Sequence, residues 1–298
     1  MPKVSTTISD FMLWLTGPAS IFLALVMVAI AYFCLRKTNE FSKDAIENTA
    51  ASVVVFAMNY GAAILFQKDI NGFAQSAYSL LGIPTLAQNF WAGHLFWVGM
   101  VVAVVALDFC DYIIHRLMHT KWVWPAHAAH HSDTFVNAFS TYRVHFIEPV
   151  LMMVNYLVVL TWMQLPQLIP VVILLRVVHN MYIHTDLPWD HGPFKYLIAS
   201  PIFHRWHHAD VPEAQGKNLA NIIPAFDLMF GTYYVPGPCQ EKMGALASGI
   251  EDKNPVLIWI YPFQQWARLI RQSLAKLTSA KQHGASNAAS LPQQSHDA

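Results

Sequence analysis

Eight of the 15 histidines in this chain fall into three tight clusters. They read His115-Arg-Leu-Met-His119, His127-Ala-Ala-His130-His131 and His204-Arg-Trp-His207-His208. Residues three and four apart share one face of a helix, so each cluster can aim its imidazoles into one space. On a helical wheel the first pair lies about 40° apart, and each of the other clusters fits an arc of about 100°. Imidazole is the commonest protein metal ligand and suits iron, zinc, copper and nickel. Eight convergent imidazoles exceed what one ion uses, so the spacing points to two metals without naming them. Without such convergence they would be buried polar groups lacking partners, which is costly.

Other metal chemistries fit less well. A zincin protease carries a glutamate beside the first ligand of its His-x-x-x-His pair, and here that place is Arg116, a cation unable to act as a base. A membrane haem with two axial histidines would leave six unexplained. A transporter usually holds ligands near the bilayer midplane, whereas these clusters lie beyond the ends of the apolar segments. A non-catalytic metal transporter or sensor is the alternative function.

The elements that must position the clusters are apolar. The chain is 55% hydrophobic and 12% charged, against about 25% charged in soluble domains. Its net charge of zero suggests no nucleic-acid partner. Three scattered cysteines (Cys34, Cys110, Cys239) make neither a disulfide framework nor a zinc ribbon. Residues 11–35 carry no charge and are long enough to span a bilayer; the stretch is too long for a signal peptide's apolar region. A second span is expected at 50–66, and a third from 96 to 107 continuing as helix into the first cluster. Residues 149–163 and 168–183 read as a helical hairpin, with Arg176 facing protein or the site rather than lipid. Residues 69–90, with Gly82 and Pro84, read as a loop or shallow re-entrant piece. Pro125 is expected to break the helix between the first two clusters. Residues 255–279 alternate apolar and basic groups, as in an amphipathic helix lying on a membrane or packed on the catalytic domain. The tail from about 279 reads as disordered, and its His283 and His296 have no metal role.

Basic residues set the orientation. Arg36, Lys37 and Lys43 place the end of the first span in the cytoplasm, and counting forward brings all three clusters to that face. The expected architecture is an all-α, multi-pass integral membrane protein. Four to five apolar helices would carry a cytoplasmic helical cap holding a histidine-rich dinuclear site. Its expected divisions are an N-terminal membrane region (1–94), a catalytic domain (95–236), an amphipathic region (237–278) and the tail (279–298).

These residues resemble the fatty acid hydroxylase/sterol desaturase superfamily of integral-membrane di-iron oxygenases. The likeness covers roughly residues 95–236. It rests on Asp108-Phe-Cys-Asp111-Tyr112 leading into the first cluster, on the second cluster, and on Arg143-Val-His145-Phe-Ile-Glu148. It continues through His184-Thr-Asp-Leu-Pro-Trp189-Asp-His-Gly192-Pro193, Ser200-Pro201 before the last cluster, and Asp227-Leu-Met-Phe230-Gly231-Thr232. Asn218-Leu-Ala220 and Phe226 depart from the family pattern at positions of packing rather than ligation.

The resemblance implies two iron ions held by His115, His119, His127, His130, His131, His184, His204, His207 and His208. His179, five residues from His184, lies about 140° away on a regular helix, so one of the two should point elsewhere. His145 is a supporting or structural candidate, as is Asp111. Arg116, Arg143 and Glu148 are expected to form an ion-pair network behind the ligands, with charges snorkelling to headgroups as the other reading. The implied activity is O₂-dependent hydroxylation or desaturation of a lipid C–H bond. Electrons would come from a separate reductase, because no flavin or nicotinamide fingerprint is present. Met152, Met153, Tyr156, Trp162 and Tyr182 are candidates to line a lateral path for a sterol or fatty acyl substrate.

Overall fold

A computed structural model describes residues 19–35, 42–66, 73–93 and 95–289. Ten α-helices are described: α1 Ser20–Leu35, α2 Lys43–Phe66, α3 Phe73–Leu81, α4 Leu95–Met118, α5 Trp124–His131, α6 Ile147–Trp162, α7 Ile169–Ile183, α8 Pro201–His208, α9 Ala225–Phe230 and α10 Pro255–Ala289. Among the described residues there is no strand, only one bridge between Ala209 and Met243.

The expected hairpin is α6 and α7. Its bend places Gln164 at φ 59°, in the left-handed region used to end helices, and the Leu165 N–H returns to the Leu160 carbonyl at 2.8 Å. The pair packs on α4 through Ala103, Leu107, Tyr156, Leu160 and Val172. Each fully buried leucine there contributes roughly 1.5–3 kcal/mol. The other face of α4 exposes Trp97, Val98, Val101 and Val105. Among the described residues α4 is the helix long and apolar enough to cross a membrane, while stretches of α1, α6 and α7 are apolar but shorter. Gly99 lets the Trp91 ring lie against α4: a Cβ there would meet it at 2.7 Å.

Several local expectations change. Residues 73–81 form helix α3 rather than loop, and α2 begins at Lys43, capped by the Ser42 hydroxyl. Residues 11–18 of the first expected span lie outside the described residues. Pro125 does not break a helix. The break falls at 119–123, and Pro125 stands in the first turn of α5, where its missing N–H costs nothing. Helix α10 continues past Ser279 to Ala289 instead of giving way to an irregular tail, and residues 290–298 lie outside the described residues. Near its start, α10 packs Ile258 and Tyr261 against Ala128 and Ala129 of α5 and Ala51 and Val55 of α2.

Candidate metal centre

The end of α4, all of α5, the end of α7 and all of α8 meet at one place. The Ser200 hydroxyl accepts the Phe203 N–H at 3.2 Å and Pro201 opens the first turn, so α8 starts at a fixed point and directs its histidines inward. Asp108 of α4 accepts the Ile222 and Ile223 N–H groups at 2.9 and 2.8 Å. Asp227 accepts those of Leu219 and Ala220 at 2.7 and 2.8 Å. The loop after α8 is thereby drawn against α4.

Nine histidines gather in two adjoining groups: His115, His119, His127, His131 and His207 in one, His130, His184, His204 and His208 in the other. Within each group one nitrogen per ring lies within 4.8 Å of the others. The groups touch, since the rings of His131 and His208 stack at 4.6 Å. Seven of the nine are buried, and His115 and His119 are half-buried.

The first group turns Nε2 inward. The outer Nδ1 of His115 reaches the Leu219 carbonyl at 2.7 Å, that of His207 the Lys217 carbonyl at 2.7 Å, and that of His127 the Glu148 carboxylate at 2.8 Å. In the second group Nε2 atoms face one another: His130 to His184 at 3.2 Å, His184 to His204 at 3.0 Å, His204 to His208 at 3.1 Å. Two nitrogens each about 2.1 Å from one ion and at right angles would sit about 3.0 Å apart.

The donor set fits metal ions. His119, His131 and His207 each bury an Nε2 with no hydrogen-bond partner. Burial pushes His119, His130, His131, His204 and His208 well below the usual imidazole range, and neighbouring imidazoles add to it. Burial also lowers His184 to about 4 and His207 to about 3. The rings are therefore neutral, with lone pairs available for coordination.

Residues 100–232 match the family model described as "Fatty acid hydroxylase". This segment is a fatty acid hydroxylase domain. It contains both histidine groups. The chain is similar to "Alkylglycerol monooxygenase" of Danio rerio, 30% identical over 133 residues, covering 44% of this chain and 30% of that protein. It is similar to "Ornithine lipid hydroxylase OlsE" of Rhizobium tropici, 27% identical over 168 residues, covering 52% of this chain and 50% of that one. "Methylsterol monooxygenase 1-3" of Arabidopsis thaliana is 25% identical over 145 residues, covering 45% and 47%. The matched region thus spans between about a third and a half of these relatives' length. No solved structure matches the chain.

Around the hydroxylase domain's histidines, the supporting residues separate. Arg116, Arg143 and Glu148 do not form one network. Glu148 holds His127, whereas Arg116 is exposed and donates to the Tyr112 hydroxyl at 3.2 Å. Arg143 is fully buried, which excludes snorkelling. It donates to the Asn48 carbonyl at 2.7 Å, the Ser52 and Ser132 hydroxyls at 3.1 Å and the Asp252 carbonyl at 2.6 Å, tying α2, the end of α5 and the start of α10 together. His145 sits among the rings of Phe146, Trp259 and Phe263, away from both groups, and burial lowers it to about 4. His179 lies outside both groups, as the 140° separation predicts, and His184 points in. Asp111 pairs with Arg176 and accepts from Asn155 at 2.8 Å, so Arg176 faces protein.

Two cavities reach the histidines. A chamber of about 60 Å³ lies between the groups and the Asp111–Arg176 pair, with Met152 in its wall. A cleft of about 560 Å³ opens from the other side onto His119, His131 and His207. Of the five expected path residues only Met152 lines either cavity. Tyr156 is buried in the core under Arg176, and Trp162 bonds to the Pro84 carbonyl. The carbonyls of Leu219, Lys217 and Asn180, which hold His115, His207 and His184, were not found from sequence because a backbone acceptor has no residue signature.

Proposed function

We propose that this chain is a membrane-bound non-haem di-iron monooxygenase that inserts one oxygen atom of O₂ into a C–H bond of a lipid. The balance is R–H + O₂ + 2 e⁻ + 2 H⁺ → R–OH + H₂O, with both electrons from a separate reductase or small electron carrier. Hydroxylation is favoured over desaturation because the similar proteins are named monooxygenases or hydroxylases. The histidine site lies on the cytoplasmic side of a multi-pass protein, consistent with Arg36, Lys37 and Lys43 following the first apolar segment. The observation that carries the reading is the pair of adjoining imidazole groups beside a cleft, inside a fatty acid hydroxylase domain.

His115, His119, His127, His131 and His207 would hold one ion, and His130, His184, His204 and His208 the other. Iron, when bound, supplies the redox chemistry that activates O₂. The chain's own part is positional. The Leu219 and Lys217 carbonyls and the Glu148 carboxylate accept the outer N–H of three rings, which fixes their tautomer and direction. Burial favours the neutral form of His119, His130, His131, His184, His204, His207 and His208. Trp124, packed on His119 and His131, shields them from water on one side.

The test is metal content and oxygen use together. Purified protein should carry two irons per chain, His208→Ala fewer, and His283→Ala the wild-type content. With a reductase, reduced nicotinamide and a lipid extract, product should form only with O₂. Movement of metal across sealed vesicles without oxygen consumption would replace this reading with transport.

A further inference from the structure

Helix α10 follows the fatty acid hydroxylase domain and lies outside residues 100–232. Its first turns are held from one side, where Ile258 and Tyr261 pack on α5 and α2. On a helical wheel those two point about 140–160° away from Phe263. The opposite face carries Phe263, Ala267, Ile270, Leu274 and Leu277, a repeat of four and three residues that stays within an arc of about 80°. Among the described residues nothing covers this stripe: its four large side chains are 45–61% exposed. A row of exposed large apolar groups marks a contact surface.

Two observations name the occupant. The first is continuity with the apolar hairpin. The rings of Phe146, Trp259, Phe263 and Trp266 run in file with neighbouring centroids 5.8 Å apart, and Phe146 directly precedes α6. Helix α6 in turn exposes Val150, Val154 and Val158, four residues apart. Trp266 donates its indole N–H to the carbonyl of the exposed Trp122 at 2.8 Å. Tryptophans set between an apolar face and a polar one are typical of a membrane–water boundary. The second observation is charge. From Pro255 to Ala289 the helix has no Asp or Glu. Arg268 and Arg271 are exposed, and among the described residues neither is in an ion pair. Arg271 borders the stripe, about 80° from Phe263. A seam between two copies of α10 would bring Arg271 near its twin with no carboxylate to offset the pair.

From this we propose that α10 lies in the plane of the membrane surface and binds anionic lipids. The Phe263–Leu277 stripe sits among the first acyl carbons, with Arg268 and Arg271 on the headgroups. The inference takes the membrane setting from the proposed function and nothing from its chemistry. The packed side of the same helix holds Tyr261, Gln265 and Leu269 in the wall of the cleft, so the anchor also fixes how the cleft stands to the bilayer.

The test uses full-length protein in nanodiscs of phosphatidylcholine mixed with phosphatidylglycerol, one lipid at a time bearing a photoreactive diazirine in an acyl chain. Labelled residues are mapped by mass spectrometry. Phe263, Ile270, Leu274 and Leu277 should be labelled, and Gln272, exposed on the far side, should not. Phosphatidylglycerol should label the stripe more strongly, and Arg268→Gln and Arg271→Gln should each cut that preference about fivefold. Val101 and Val105 of α4 report whether the protein sits in the bilayer at all. Labelled α4 with an unlabelled stripe overturns the proposal and leaves the membrane reading; neither labelled overturns both. Equal labelling from the two lipids, or a preference untouched by the arginine variants, overturns the proposal too. So does disulfide cross-linking of Ile270→Cys between two chains with the stripe unlabelled.

Discussion

The two histidine groups use one residue type but are held differently. In the five-member group three outer nitrogens rest on fixed acceptors, two carbonyls and a carboxylate. In the four-member group only His184 has one, the Asn180 carbonyl at 2.6 Å, while His130, His204 and His208 leave Nδ1 without a partner. The first group floors the cleft, and the second meets only the small chamber. Outer hydrogen bonds preset ring direction and tautomer. The first group is thus organised to hold an ion with one side accessible. The second depends on close packing to keep its rings in place.

Losing one donor should separate the groups most strongly. His208→Ala leaves three imidazoles in its group and should lose one ion per chain, whereas His119→Ala leaves four and should retain two. Metal analysis of purified protein decides it, and equal loss in both variants would erase the distinction. Arg143→Met, outside both groups, should destabilise the whole fold by about 3–5 kcal/mol, because it strands the acceptors that Arg143 now satisfies. Denaturant unfolding should show that loss with no preference for either ion.

Glu148→Gln should be smaller and selective. Metal affinity of the first group alone should fall about 10–100-fold, or about 1.4–2.7 kcal/mol, giving a biphasic chelator competition. A single-phase curve would mean that Glu148 serves both groups. The smallest effect is with pH. His184 and His207 titrate near 4 and 3 in the folded chain but near 6.5 when unfolded. Between those values the unfolded state binds more protons, so stability rises with pH. The melting temperature of metal-stripped protein should fall as pH drops from about 6.5 toward 4, and a flat profile would contradict neutral buried rings.

Sequence made the ligand candidates legible because imidazoles repeat at helical spacing and have few uses in bulk. All nine proposed ligands lie in the two groups, and His179 lies outside them. The hairpin was legible from apolar length around Pro166. What failed was governed by context. Proline both ends helices and begins them, and only the position of the preceding turn tells which Pro125 does. Helix α3 is short and mixed in polarity, so its pattern was weak. Arg143 and Glu148 were legible as important but not as separate, since charge gives no direction. The Leu219 and Lys217 carbonyls lie in or beside a stretch whose departures suggested only packing, yet the Asn218 side chain braces it by bonding the Phe203 and Tyr234 carbonyls.

The hairpin also divides the ligands in time. His115, His119, His127 and His131 precede α6 and α7, and only His207 of their group follows; in the other group His130 precedes and His184, His204 and His208 come at the hairpin's end or later. Four of the five imidazoles of one group are translated before the hairpin, whereas three of the four in the other come at its end or after it. The cleft-side group is thus complete but for His207 before α6 and α7 are made, and its neighbour waits for the finished chain.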